Sequence, residues 1–166
     1  MFRRGERGFT LIDLVMAIAI MGIIMPGIAM TTVGILKNHQ KAGDAYIVLQ
    51  QVQNTGYWIM HDIQAADNVT LGNPNGFPVT LIVPVDTEAS NDRKVVYTFD
   101  GDKLKRQVYD FSDTLIMEML IAQYIDMSQT TITSGGLKSY ELTARASRNE
   151  MAVERSYRIR QRLGAI

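Results

Sequence analysis

The chain has no cysteine, two histidines and no excess of either charge, with 17 Lys+Arg against 17 Asp+Glu in 166 residues. Without cysteine there is no disulfide framework, no thiol nucleophile and no Cys-ligated zinc or iron–sulfur site. The histidines, His39 and His61, would lie ~33 Å apart on one helix, too far to share a metal. A formal charge of zero supplies no basic field for nucleic acid. No Gly-x-Ser-x-Gly elbow and no Gly-rich phosphate loop occur. The sequence therefore predicts no catalytic residue, no metal and no cofactor, and the chain is not expected to be an enzyme. Its hydrophobic content, 46%, is ordinary, and its length fits one domain or a small domain plus an appendage. What is uneven is where the apolar residues fall.

From Leu14 to Leu36 there is no charged residue over 23 positions. At ~1.5 Å per residue a helix of that length reaches ~35 Å, enough to cross a bilayer core. Pro26 removes a hydrogen bond to the carbonyl of Gly22, which predicts a kink. Gly22, Gly27 and Gly34 give small faces for the close approach of another helix. A short basic segment, Met-Phe-Arg-Arg-Gly-Glu-Arg-Gly, precedes the run, and no Ala-x-Ala pattern follows Leu36. The anchor is therefore expected to be retained rather than cleaved off behind its apolar stretch.

Gly8-Phe9-Thr10-Leu11-Ile12-Asp13, joining that leader to the apolar run, closely resembles the N-terminus of type IV prepilins and pseudopilins. The family pattern is Gly, an aromatic residue, Thr-Leu-Ile-Glu and a long apolar helix. The resemblance covers about the first 36 residues. It implies cleavage between Gly8 and Phe9 by a membrane-bound prepilin peptidase and N-methylation of Phe9. It also implies a docking role for Asp13, which holds the position of the family's Glu with one methylene fewer. In the family that carboxylate is thought to neutralise the N-terminus of the preceding subunit. Asp13 lies one helical turn after Phe9, near the favourable end of the helix dipole.

Beyond Lys37 the composition turns polar while the spacing stays helical. Leu49, Val52, Gly56, Ile59 and Ile63 form an apolar stripe, with Gln50, Gln51, Gln53, Asn54, His61, Asp62 and Gln64 mostly elsewhere. One helix is predicted from about Thr10 to about Ala66, with Asn38 and Gly43 as weak points. Strand and turn signals follow. Phe77–Val83 comes after the turn cluster Asn73-Pro74-Asn75-Gly76. Lys94–Phe99 and Lys103–Val108 flank Asp100-Gly101-Asp102 as a hairpin. Tyr140–Ala146 and Met151–Ile159 flank Arg148-Asn149 as a second hairpin. There Val153, Arg155, Tyr157 and Ile159 alternate against Glu154, Ser156, Arg158 and Arg160. Thr114–Tyr124 reads equally as helix or strand. Asp100-Gly101-Asp102 is taken as a turn, and Asp86, Glu88 and Asp92 as solvated surface, rather than as metal ligands.

The predicted fold class is α+β and pilin-like: a long N-terminal helix, its first half membrane-spanning, packed on a small antiparallel sheet. The predicted organisation is a leader over 1–8, the membrane and filament-core half of the helix over 9–37, its amphipathic half over 38–67 and a β-rich domain over 68–166. Tyr97 to Arg106 also resembles the Tyr…turn…Leu-x-Arg hairpin of J-type minor pseudopilins. Family membership implies a structural subunit of a type IV pilus-like filament or type II secretion pseudopilus. Its partners would be prepilin peptidase, other pilins or pseudopilins, an inner-membrane assembly platform and, before assembly, membrane lipid. It would be a single-pass inner-membrane protein with its domain outside the cytoplasm. Two alternatives stand beside this: a membrane-anchored β-rich binding or sensor domain, and a DNA-binding or adhesive minor pilin. Removing 1–8 leaves 14 basic and 16 acidic residues, so no nucleic acid is expected.

Overall fold

The structure, a computed structural model, describes residues 10–85 and 92–162. One helix, α1 (Leu11–Ala65), is followed by eight strands: β1 (Asn68–Gly72), β2 (Gly76–Val83), β3 (Arg93–Asp100), β4 (Lys103–Tyr109), β5 (Leu115–Ala122), β6 (Thr131–Gly136), β7 (Ser139–Arg148) and β8 (Met151–Arg160). The fold is α+β. Two antiparallel sheets form where one was expected, a meander β1-β2-β3-β4-β5 and a smaller sheet β6-β7-β8. The chain divides into two compact units, one ending at Ala42 and the other beginning at Gly43.

In the first unit, α1 continues through Pro26 and exposes its large apolar side chains. No buried stripe exists there, because the residues are apolar all round. The second unit holds the core. The last part of α1 buries Val48, Val52, Thr55, Gly56, Ile59, Asp62 and Ile63. This differs from the expected stripe by a rotation at its start, Val48 in place of Leu49. It also includes two polar residues that the apolar spacing had skipped.

Strand alternation supplies the rest of the core. Val79, Leu81, Val95, Tyr97, Leu104 and Val108 come from the first sheet, and Tyr140, Leu142, Ala144, Ala146 and Ile159 from the second. Arg155 lies in phase with Val153 and Tyr157 but is exposed. Gly101, at φ 61°, occupies the first central position of the β3–β4 turn, where a positive φ favours glycine. Pro78 falls in β2 between the Gly72↔Gly76 pair and the start of β3 pairing at Val79, where no ladder bond from its nitrogen is needed. The segment Thr114–Tyr124 resolves as a strand. Its apolar run is too short for a helix of ordinary length, and its neighbour β4 offers a pairing edge.

Candidate functional site

The sequence pointed to the N-terminal rod, and the first turn of α1 is tightly organised. Thr10 is the N-cap: its hydroxyl accepts from the Asp13 N–H at 3.3 Å. Asp13 Oδ2 accepts in return from the Thr10 N–H at 3.1 Å and from the Thr10 hydroxyl at 2.7 Å. This is a reciprocal capping box with Asp in the place usually held by Glu. It satisfies amide donors that a helix start otherwise leaves open. Gly8 and Phe9, the expected cleavage and methylation positions, lie outside the described residues, as do the leader and the loop residues Asp86 and Glu88.

Along the rod, the hydroxyls of Thr31 and Thr32 donate to the carbonyls of Gly27 and Ile28, each at 2.9 Å. These polar groups are thus answered within the helix, as an apolar surrounding requires. A Cβ added at Gly22, Gly27 or Gly34 would meet nothing within 4 Å. These glycines are therefore not shaped by contacts inside this chain. The helix is long and apolar enough to cross a membrane.

A second constellation lies where α1 meets the larger sheet. Asp62 is buried, and its Oδ2 accepts from the Tyr97 hydroxyl and from Arg106 Nε, each at 2.6 Å. Tyr97 and Arg106 are cross-strand partners of β3 and β4, so the hairpin register itself brings the two donors side by side. The Arg106 guanidinium also lies 5.4 Å over the Trp58 ring. Burial pushes the Tyr97 phenol well above its usual range, and the neighbouring Asp62 charge pushes it further. Burial opposes the charge on Arg106, but its bond to Asp62 outweighs this and raises its pKa. Tyr97 and Arg106 fall in the hairpin that the sequence predicts, whereas Asp62 falls among the polar residues off the apolar stripe. The usable signal was the 4-3-4 spacing of Thr55, Ile59, Asp62 and Ala66.

Further polar ties hold α1 to the domain. Asn149 Nδ2 in the β7–β8 turn donates to Asp44 at 2.7 Å, and Arg148 Nε lies 3.2 Å from the same carboxylate. Gln51 accepts from the Gln123 N–H at 2.9 Å, and Gln161 donates to the Ala66 carbonyl at 2.6 Å. An open apolar cleft of about 480 Å³ lies beside Pro74, Phe77, Pro78, Phe99 and Met127. Asp100 and Asp102 are engaged elsewhere: Asp100 pairs with Lys105 at 2.8 Å, and Asp102 accepts from the Tyr124 N–H at 3.3 Å.

Comparison with family models, curated proteins and solved structures yields no significant match. What stands is therefore what the chain itself displays: one apolar N-terminal helix long enough for a single membrane pass, followed by an antiparallel β domain.

Proposed function

We propose that this chain is a structural subunit, of the minor class, of a type IV pilus-like filament or type II secretion pseudopilus. The supporting observation is the combination of the Gly8-to-Asp13 motif with a helix whose first part is apolar all round and uncovered. A rod of this kind is stable in lipid and equally stable among like helices. Lipid tails are as apolar as Leu, so transfer between the two depends on close packing and charge pairing. The small faces at Gly22, Gly27 and Gly34 support the first. Asp13, at the head of the rod, supports the second by meeting the Phe9 amine of a neighbour once the leader is removed. Pro26, by freeing the Gly22 carbonyl, allows local unwinding there. The role is structural rather than catalytic. Prepilin peptidase, partner pilins and an inner-membrane platform are its implied partners.

Two measurements test this. The intact mass of the chain from its native cell should lack residues 1–8 and carry one added methyl group. Asp13→Ala should still insert in the membrane but fail to enter filaments. A full-length mass in the native cell, or normal filament incorporation of Asp13→Ala, contradicts the reading. A second reading, a membrane-anchored binding domain, draws on the apolar cleft at Phe77 and Phe99. It requires ligand binding with no fibre association.

A further inference from the structure

Two arginines stand at core-facing positions of the larger sheet, and one carboxylate among the described residues meets them. Strand alternation puts Arg93 in phase with the buried Val95 and Tyr97 on β3, and Arg106 in phase with the buried Leu104 and Val108 on β4. Asp62 answers Arg106 at 2.6 Å. Arg93 is exposed and makes no ion pair among the described residues. Lys94 and Lys105 lie in the opposite phase and have acids of their own, Asp113 at 2.8 Å for the first and Asp100 at 2.8 Å for the second. The charge on the core face is therefore unbalanced by one.

Both arginines border one groove of about 430 Å³, whose other lining side chains are all apolar, the buried Val95 and Val108 among them. Ile116 and Met117 of β5 close one side. Val108 pairs with Met117 and Tyr109 with Leu115, so Ile116 is the extra residue of a bulge. Bulges of this kind re-aim a side chain beside a site. An arginine stem laid on apolar neighbours is ordinary, but here the guanidinium at its end has no anion.

We propose that this groove binds a small monoanionic amphiphile, a single carboxylate on an aliphatic chain, with the carboxylate on Arg93 and the chain along Val95, Val108 and Met117. Charge sets the head group. Asp62 already neutralises Arg106, so one negative charge balances the site. A phosphate ester carries about −1.5 to −2, more than Arg93 answers, and an uncharged ligand leaves Arg93 unmet. A planar carboxylate also matches the guanidinium fork as a bidentate pair. The apolar walls set the body, because a polar group laid against them would lose water without a partner. At roughly 30 Å³ per non-hydrogen centre, the share of a water in the liquid, the volume accepts about fourteen centres, and octanoate has about ten. None of this rests on the filament reading.

The test uses the full chain in nanodiscs of zwitterionic lipid, with methyl NMR of Val95, Val108, Ile116 and Met117, and octanoate as the probe. Saturable shifts are expected at those methyls and none at Leu142 or Ile159 in the smaller sheet. Arg93→Gln, at an exposed position, should weaken binding about tenfold, equivalent to ~1.4 kcal/mol, and Arg93→Lys should keep most of it. Octanol should bind about tenfold more weakly than octanoate, and octylammonium should leave the methyls unmoved. Partition of the probe into lipid is common to all variants and cancels in the comparison. Absence of saturable shifts in the wild-type chain overturns the proposal, as does equal affinity in Arg93→Gln or equal affinity for octanol. Binding that appears only when Asp86→Asn is combined with Glu88→Gln makes residues 86–91 the source of the anion and also overturns it. These outcomes are independent of the removal of residues 1–8, so the filament reading is judged separately by mass.

Discussion

Asp62 on α1 and Arg106 on β4, 44 positions apart in the chain, meet at 2.6 Å, the carboxylate buried and the guanidinium partly so. The bond fixes the azimuth of the helix against the sheet, because only one face of α1 can present a carboxylate to both Tyr97 and Arg106. A buried pair of this kind gains little over well-packed apolar residues, but half of it is costly.

Asp62→Ala should therefore destabilise the domain by about 3–5 kcal/mol, leaving the Arg106 charge without its anion. The paired change Asp62→Leu with Arg106→Met should recover most of that loss. Urea unfolding of the full chain in detergent measures both, and a loss under ~1 kcal/mol for Asp62→Ala would contradict the assignment.

Alkaline pH should unfold the domain. The folded Tyr97 phenol is raised above its ordinary value of 10.0, so the folded state keeps a proton that the unfolded state releases. Stability is then complete below pH 10 and falls above it, at about 1.4 kcal/mol per pH unit for one such group. Burial raises Tyr140 and Tyr157 as well, with the same sign. Tyr97→Phe should make the decline shallower without removing it, as read from unfolding midpoints across the alkaline range.

Acid acts through the opposite sign. Asp126 is lowered by its bond to the Ser128 hydroxyl, 2.6 Å away. Asp100 is lowered by Lys105, and Glu118 by Gln107 and then Lys105. These contributions are complete above the ordinary values of 3.8 and 4.5, and are lost as pH falls through the lowered folded values. Asp126→Asn should flatten part of the acid limb of the stability profile and leave the alkaline limb unchanged.

Gly56 sits directly under the Tyr157 ring, which a Cβ at this position would enter. Tyr157 also donates to the Val52 carbonyl at 3.3 Å, so the ring is not free to swing away. Gly56→Ala should cost about 1–3 kcal/mol through overpacking, despite alanine's better helix propensity. In a Tyr157→Ala background the same change should become neutral or stabilising, a non-additivity that a double-mutant cycle reads directly.

Local pattern determined a great deal. The helix boundaries, expected near Thr10 and Ala66, fall at Leu11 and Ala65, because the charge-free run from Leu14 to Leu36 and the apolar stripe that ends at Ile63 are local signals. The β3–β4 and β7–β8 hairpins were legible because Gly101 and Asn149 suit left-handed turn backbone, at φ 61° and 53°, between alternating strands. That the rod from Leu14 to Leu36 is long and apolar enough to cross a membrane was legible too, since length and lack of charge are local properties.

Tertiary structure alone decided which polar residues belong inside. Asp62 and Thr55 are polar by composition, and hydropathy places them outside; the helix face they share with Ile59 places them within. Their burial is tolerated because donors from elsewhere answer the Asp62 carboxylate, while the Thr55 hydroxyl reaches the Gln51 carbonyl at 2.9 Å. The split into two sheets and the placing of β5 at an edge were likewise beyond local reading. An apolar run states that a strand prefers to be covered, but only the pairing order of all eight strands decides whether anything covers it.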